Sequence, residues 1–322
     1  MHKTRMIVIA IVLLLMAACG GNGNPGERSI RVVATTTIVG DLVRNVVGDG
    51  VEVEVEVLMP LGVDAHAYLP SAQHVALISE ADLVVAIGLG LEEGLVDVLA
   101  SAASDGANIL EIAPALAPLP FSASHSHEDD EIEEEEDHDE EDEPGADGLD
   151  PHVWLDPVRM ADAARLVAQR LAAIDDSGRW AENAETYASL LLALDGRIDG
   201  LLASVEPRDR KLVTNHDALG YFADRYGFEI VGTVIPSGST LADPSSAQLA
   251  ALVGVMEHEG VAAIFAETTD STALADAVAA ELGRPVEVAL LFTESLGEPG
   301  SGAETLIDLL EENARRIASA LG

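Results

Sequence analysis

The chain has 322 residues, with 17 Lys and Arg against 57 Asp and Glu, for a formal charge of −40. That length supports one large or two medium domains, and the acidic balance excludes the basic face that a nucleic-acid binder needs. Hydrophobic residues make up 48% of the chain, too many for global disorder, and a single Cys excludes both an internal disulfide and a cysteine-built zinc cage.

Lys3 and Arg5 precede an apolar run from Ile7 to Ala18, too short to span a bilayer but suited to the core of a secretory signal. The run ends Leu15-Met16-Ala17-Ala18-Cys19-Gly20. Small residues before a lone Cys, with Gly after it, look like a bacterial lipoprotein cleavage site, although Met16 stands where Leu is usual. The expectation is a lipoprotein signal at 1–18, lipidation of Cys19 and a flexible stalk at 19–29. The working part then lies at the extracytoplasmic face of the cell membrane, held by a lipid anchor. The competing reading of Cys19 is a free Cys behind an ordinary signal.

From there β and α patterns alternate. Ile30 to Thr36 reads as a strand and Val39 to Val47 as a helix. Val51 to Val57 alternates strictly, the mark of a half-exposed strand near a sheet edge. A helix at Ser71 to Ser79, the apolar strand Leu83 to Ile87, a helix at Leu91 to Ala103 and a short strand at Asn108 to Glu111 complete a parallel sheet covered by helices. The stretch 121–149 breaks the pattern, and Glu128 to Glu143 holds fourteen acids and no base. Such a block is expected to be a solvated loop. Asp156-Pro157 is a helix start, with Asp as cap and Pro in the first turn.

A long helix follows from about Trp180 to Val205. Its apolar stripe is Tyr187, Leu190, Leu191, Leu194, Ile198, Leu201, Leu202 and Val205. After Pro207, strands at Lys211 to Thr214, Glu229 to Val234, Ala262 to Ala266 and Val286 to Leu290 alternate with helices at Ala218 to Tyr226, Ser246 to Glu259, Ser271 to Leu282 and Ala303 to Leu321. The fold class is α/β, with two lobes that are each a mainly parallel sheet flanked by helices. The first lobe spans 30–178, a long rigid helix at 179–206 links it to the second, and the second spans 207–322. Ligands of open α/β sheets bind at the C-terminal ends of the strands, which places a ligand in the cleft between the lobes.

Nine His occur in the chain. His74 and His258 lie on helices among charged neighbours and read as surface residues. His66, His152 and His216 each sit at an element junction flanked by Asp, Pro or Gly. Imidazole is the commonest Zn²⁺ ligand and three of them make a strong site. Asp64, Asp156 and Asp217 are candidates to orient the rings.

Several segments carry a resemblance to a known family. They are Asp64-Ala65-His66-Ala67-Tyr68, Ala81-Asp82-Leu83-Val84-Val85 with Gly88 and Leu91-Glu92, and Asp150-Pro151-His152-Val153-Trp154-Leu155-Asp156-Pro157. In the second half they are Thr214-Asn215-His216-Asp217-Ala218 with Tyr221-Phe222, and Phe292-Thr293-Glu294-Ser295-Leu296. From about Ile30 to Leu321 the chain resembles the zinc- and manganese-binding solute-binding lipoproteins of ABC metal importers. The resemblance implies one metal ligand from each of four loops: His66 and His152 from the first lobe, His216 and Glu294 from the second. The family's usual fourth residue is Asp, so Glu294, a water or Glu267 stand as alternatives for that position. It further implies a membrane permease as partner, a monomer, and no enzymatic activity.

Three His with one carboxylate suit four-coordinate Zn²⁺ as cargo, and Mn²⁺, better served by oxygen, is the alternative. His125, His127 and His138 lie in or beside the acidic block, so the loop reads either as an auxiliary weak metal-gathering arm or as a plain solubilising segment. A secreted three-His zinc hydrolase or lyase is the rival class. No His-Glu-x-x-His or Gly-x-Ser-x-Gly is present to support it. An adhesin with a purely structural metal is a weaker third reading.

Overall fold

The computed structural model describes residues 29–49, 53–122, 148–176 and 179–322. The signal, Cys19, nearly all of the stalk, and His125, His127 and His138 of the acidic loop lie outside the described residues. Among the described residues, no helix is long and apolar enough to cross a membrane.

The first sheet comprises β1 (Ile30–Ala34), β2 (Val53–Val57), β3 (Leu83–Ala86) and β4 (Ile109–Glu111), in the order β2-β1-β3-β4. The second comprises β5 (Lys211–Thr214), β6 (Glu229–Thr233), β7 (Ala263–Glu267) and β8 (Glu287–Leu291), in the equivalent order β6-β5-β7-β8. Every strand pair in both sheets is parallel. Val32 to Ala34 and the whole of β3 are buried, as expected of parallel strands covered on both faces, whereas β2 is an edge strand of alternating Val and Glu. In each sheet the chain reverses its direction of winding at the central pair, β1/β3 and β5/β7, and such switch points open crevices at the strand C-termini.

The helices of the first lobe are α1 (Thr37–Val47), α2 (Ala72–Glu80), α3 (Val96–Ser104) and α4 (Pro157–Ala172). Asp156 caps α4, its Oδ1 accepting from Val158 N at 2.8 Å, with Pro157 in the first turn. α3 starts five residues later than the apolar pattern suggests. Gly88, Leu89 and Gly90 all take positive φ (84°, 54° and 80°), a conformation a right-handed helix cannot contain. A single turn at Glu93–Leu95 then intervenes. The C-terminal helix α9 (Leu306–Leu321) is likewise shorter than Ala303 to Leu321, because Thr305 provides the cap, its side chain accepting from Asp308 N.

The linking helix α5 is Arg179–Leu202. Its buried line is Trp180, Ala184, Tyr187, Leu191, Leu194, Ile198 and Leu202, at spacings of three and four. Leu190, expected within the stripe, is 51% exposed: it lies one position behind Leu191, about 100° around the helix and off the buried arc. The helix is fastened to both sides. Tyr187 donates to Asp41 on α1 at 3.1 Å, while Asp195 pairs with Arg225 of α6 (Gly220–Tyr226) at 2.6 Å. One apolar core runs from the first sheet through α5 to α9, and a smaller one fills the far side of the second sheet between α7 (Ser246–Glu259) and α8 (Ala273–Glu281). Each fully buried Leu or Ile of the α5 stripe contributes roughly 1.5–3 kcal/mol, so the helix is fixed to both lobes by packing as well as by polar ties.

Candidate metal centre

Four chain segments from the two lobes converge where the sheets face each other. His66 sits on the loop after β2, where its N–H donates to Asp64 Oδ1 at 2.9 Å. His152 precedes the turn Val153–Leu155, and Asp150 Oδ1 accepts both its backbone N–H, at 2.9 Å, and its ring Nδ1–H, at 2.7 Å. His216 follows β5 at the switch point of the second sheet. Its neighbour Asn215 donates to Asp270 at 3.2 Å, and its carbonyl accepts from Thr214 Oγ1 at 2.6 Å. Glu294 follows β8 on the segment whose Thr293 carbonyl receives Trp154 Nε1–H at 2.7 Å, a bond that joins the lobes beside the site.

The structure brings His66, His152, His216 and Glu294 into one buried group, with one donor atom from each lying within 4.8 Å of all the others. His152 Nε2 is 3.4 Å from His66 Nε2, 3.1 Å from His216 Nε2 and 3.5 Å from Glu294 Oε1, and His216 Nε2 is 3.8 Å from that oxygen. A tetrahedral Zn²⁺ with arms of roughly 2.0–2.1 Å separates its ligand atoms by about 3.3–3.4 Å, so the two nitrogen–nitrogen distances from His152 are close to those of such a shell. Nitrogen lone pairs aimed at one another repel unless a cation or a proton lies between them. Neither oxygen of Glu294 has a hydrogen-bond partner among the described residues, an arrangement that costs a buried carboxylate several kcal/mol unless a positive charge compensates it.

Each imidazole also has a carboxylate behind it. His66 Nδ1 lies 3.2 Å from Glu93 Oε1, His152 Nδ1 2.7 Å from Asp150 Oδ1 and His216 Nδ1 2.6 Å from Glu267 Oε1. For His66 and His152 the carboxylate is within hydrogen-bonding reach of Nδ1 and fixes the tautomer that leaves the Nε2 lone pair free for a metal, whereas Glu267 approaches His216 as a close charge without hydrogen-bond alignment. Of the four acids considered from sequence, only Glu267 stands behind a ring. Being drawn to Nδ1 of His216, it faces away from the Nε2 cluster where a ligand would stand. Asp64 instead holds the backbone of His66. Asp156 is taken up by the α4 cap and by Arg159 and Arg225, at 3.3 and 3.4 Å, and so is corrected to a structural residue. Asp217 is buried, and its charge adds to that around Asp150. Glu93 and Asp150 were missed. The signal for Asp150 was present in the repeated Asp-x-His of Asp64-Ala65-His66 and Asp150-Pro151-His152; Glu93 gave none, being adjacent to an equally acidic Glu92.

The titrations reflect this crowding. Burial, with the neighbouring His216 and His66, pushes His152 well below the usual imidazole range. Burial also works against a charge on His216, but Glu267 overrides it and lifts the ring to about 9. Burial lifts Glu294 to about 7 despite the pull of His66 and His216, and it raises Asp150 well above the usual range, reinforced by Asp217.

The other His fall elsewhere. His258 is on the surface, its side chain 85% exposed. His74 is less free than expected: it completes a capping box with Ser71 and its ring lies against the Tyr68 hydroxyl, which donates to Leu58 O, so it braces the His66 loop from behind.

Comparison with known proteins shows the family and the fold. The family model for the periplasmic component A of the zinc-uptake complex, ZnuA, matches residues 32–320. The manganese-binding lipoprotein MntA of Halalkalibacterium halodurans is 28% identical over 98% of this chain and 97% of its own length. The zinc-binding lipoprotein AdcA of Streptococcus pneumoniae is 30% identical over 98% of this chain but 60% of its own. Among solved structures, the periplasmic zinc-binding protein TroA of Treponema pallidum superposes with a TM-score of 0.77 at 26% identity, covering 91% of this chain and 99% of that one.

Proposed function

The chain belongs to the family of periplasmic zinc-uptake component A proteins, solute-binding components of ABC metal importers rather than enzymes, and on that premise we propose that its cargo is Zn²⁺. His66, His152, His216 and Glu294 are the ligands in this reading, two from each lobe. Cys19 carries the lipid anchor that keeps the protein at the outer face of the membrane, where relatives named as lipoproteins support the assignment, and the permease is its partner there.

The observation that carries the zinc reading is the donor set. Three imidazoles, each with its Nδ1 turned to a carboxylate, supply the nitrogen share of the shell once His216 gives up its proton, and a single carboxylate completes it. One observation favours manganese as a second reading: neither oxygen of Glu294 has a hydrogen-bond partner among the described residues, so the carboxylate could bind through two atoms and enlarge the oxygen share of the shell. Protein purified without chelator from medium containing both metals, followed by elemental analysis and competition titration, tests the assignment. One zinc per chain, lost in His216→Ala and not displaced by a large excess of Mn²⁺, is the expected result. Stoichiometric manganese would refute it.

A further inference from the structure

A short segment of the second lobe crosses the cleft and grips the residues that hold His66. It lies between β6 and α7, and its base is tied to the His216 loop: Ile235 N donates to Asn215 O at 2.7 Å and Asp217 N donates to Ser237 O at 3.0 Å. Its tip reaches the first lobe. Ser239 Oγ donates to Glu93 Oε1 at 2.5 Å, and Thr240 Oγ1 donates to Asp64 Oδ2 at 2.5 Å. Gly238, just before them, rests so closely on the Phe121 ring that a Cβ at that position would overlap it.

The two acids reached are the same two that position His66. Glu93 Oε1 takes the ring at 3.2 Å, and Asp64 Oδ1 takes the backbone N–H at 2.9 Å. The direction of the Ser239 bond is fixed as well. Leu241 N–H donates into Ser239 Oγ at 3.2 Å, which leaves the hydroxyl proton for Glu93. A hydroxyl bound to an ionised carboxylate is among the stronger hydrogen bonds a protein makes. A carboxylate with fewer partners rotates more freely and orients a ring less well.

We propose that Ser239 and Thr240 are positioning residues for metal retention. Through Glu93 and Asp64 these second-lobe hydroxyls set the orientation of His66 on the first lobe, so His66 is fully aimed at the metal only while the two lobes are joined through this segment. The inference rests on His66 being a ligand. It adds that the bond between His66 and the ion is controlled from the opposite lobe, by residues that never touch the ion.

The test uses the full chain loaded with zinc and follows release into excess chromogenic chelator, alongside the ligand-field spectrum of the Co²⁺ form. Ser239→Ala combined with Thr240→Val is expected to release zinc at least about tenfold faster than wild type and to alter the Co²⁺ bands. Ser239→Thr with Thr240→Ser, which keeps both hydroxyls, is expected to restore both readouts. A merely structural role would not move the Co²⁺ spectrum or depend on the hydroxyl. Should the double variant fail to fold, Gly238→Ala, which lifts the segment off Phe121, is expected to give the same acceleration. Release within about twofold of wild type in whichever of these variants folds would overturn the proposal. His66→Ala separates the two readings: if it holds zinc as wild type does, His66 is no ligand and the inference falls with that reading. If it loses zinc while the hydroxyl variants behave as wild type, only the inference falls.

Discussion

Glu267 offers the most direct test of how the site exchanges protons for metal. In the metal-free protein His216 titrates at about 9 and Glu294 at about 7. At pH 8, therefore, His216 is mostly protonated and Glu294 mostly ionised. A metal that takes His216 Nε2 and Glu294 must expel the His216 proton, about one per ion. The proton on His216 is there because Glu267 stands 2.6 Å from Nδ1. Glu267→Gln keeps an acceptor for Nδ1–H but removes the charge, so His216 should fall to its ordinary value of about 6.5 or below, and release at pH 8 should drop close to zero. Isothermal titration of zinc at pH 8, in buffers of different ionisation enthalpy, gives the number of protons released as a slope. Wild-type protein should show a slope near one and the variant a slope near zero. Equal slopes would mean that Glu267 does not control the His216 proton and that the pairing seen here has no energetic weight.

The same groups set the stability of the metal-free protein. His216 and Glu294 both have folded values above their unfolded ones, so the folded state binds more protons and stability is lost as pH rises, from about 4.5 to 7 for Glu294 and from about 6.5 to 9 for His216. Thermal melts should show metal-free protein less stable at pH 9 than at pH 6, with the trend removed or reversed by zinc, whose stabilisation grows with free metal over Kd. In the linking helix, Leu194→Ala should cost about 2–5 kcal/mol by urea unfolding because Leu194 is fully buried, whereas Leu190→Ala should stay within about 0.5 kcal/mol. Trp154→Phe removes the Nε1–H bond to Thr293 O and should weaken zinc binding together with stability, by about 1 kcal/mol in melts and titration alike.

Much of the site was legible because chemistry and topology point to the same places. A His on the loop that follows a strand in an α/β lobe sits where such sheets bind ligands, and His66, on the loop after β2, and His216, two residues after β5, both do. The Asp-Pro helix start was equally readable, since capping is local. That same local role keeps Asp156 from serving as a ring partner: a carboxylate committed to two backbone N–H groups and two Arg has nothing left for an imidazole. Glu92 and Glu93 show the opposite limit. Glu92 is buried and accepts from Thr35 Oγ1, Ile87 N and Gly88 N, whereas Glu93 turns to His66 and Ser239. Which of two adjacent acids faces the cleft depends on the three positive-φ residues before them, and no period in the sequence records that. Leu190 was placed wrongly for a simpler reason, since spacing of three and four alone does not say where the edge of a buried arc falls.

The carboxylates behind the rings give the site its character. Glu93 comes from the turn after β3, Asp150 from the residue two before its own His, and Glu267 from the strand beside the one that leads to His216. Three unrelated local routes thus arrive at one arrangement, in which Nδ1 is held and Nε2 is presented. Once the rings are held this way their lone pairs and the Glu294 oxygens can be satisfied only by positive charge. In the metal-free protein protons supply part of it, on His216, which the Glu267 charge lifts, and on Glu294, which burial lifts, while His152 stays neutral. A divalent ion supplies it better, because one charge centre reaches all four donors at once while a proton bridges two at most. On the proposed ligand set the preference for a metal over protons follows from this geometry, and its strength depends on pH through His216 and Glu294.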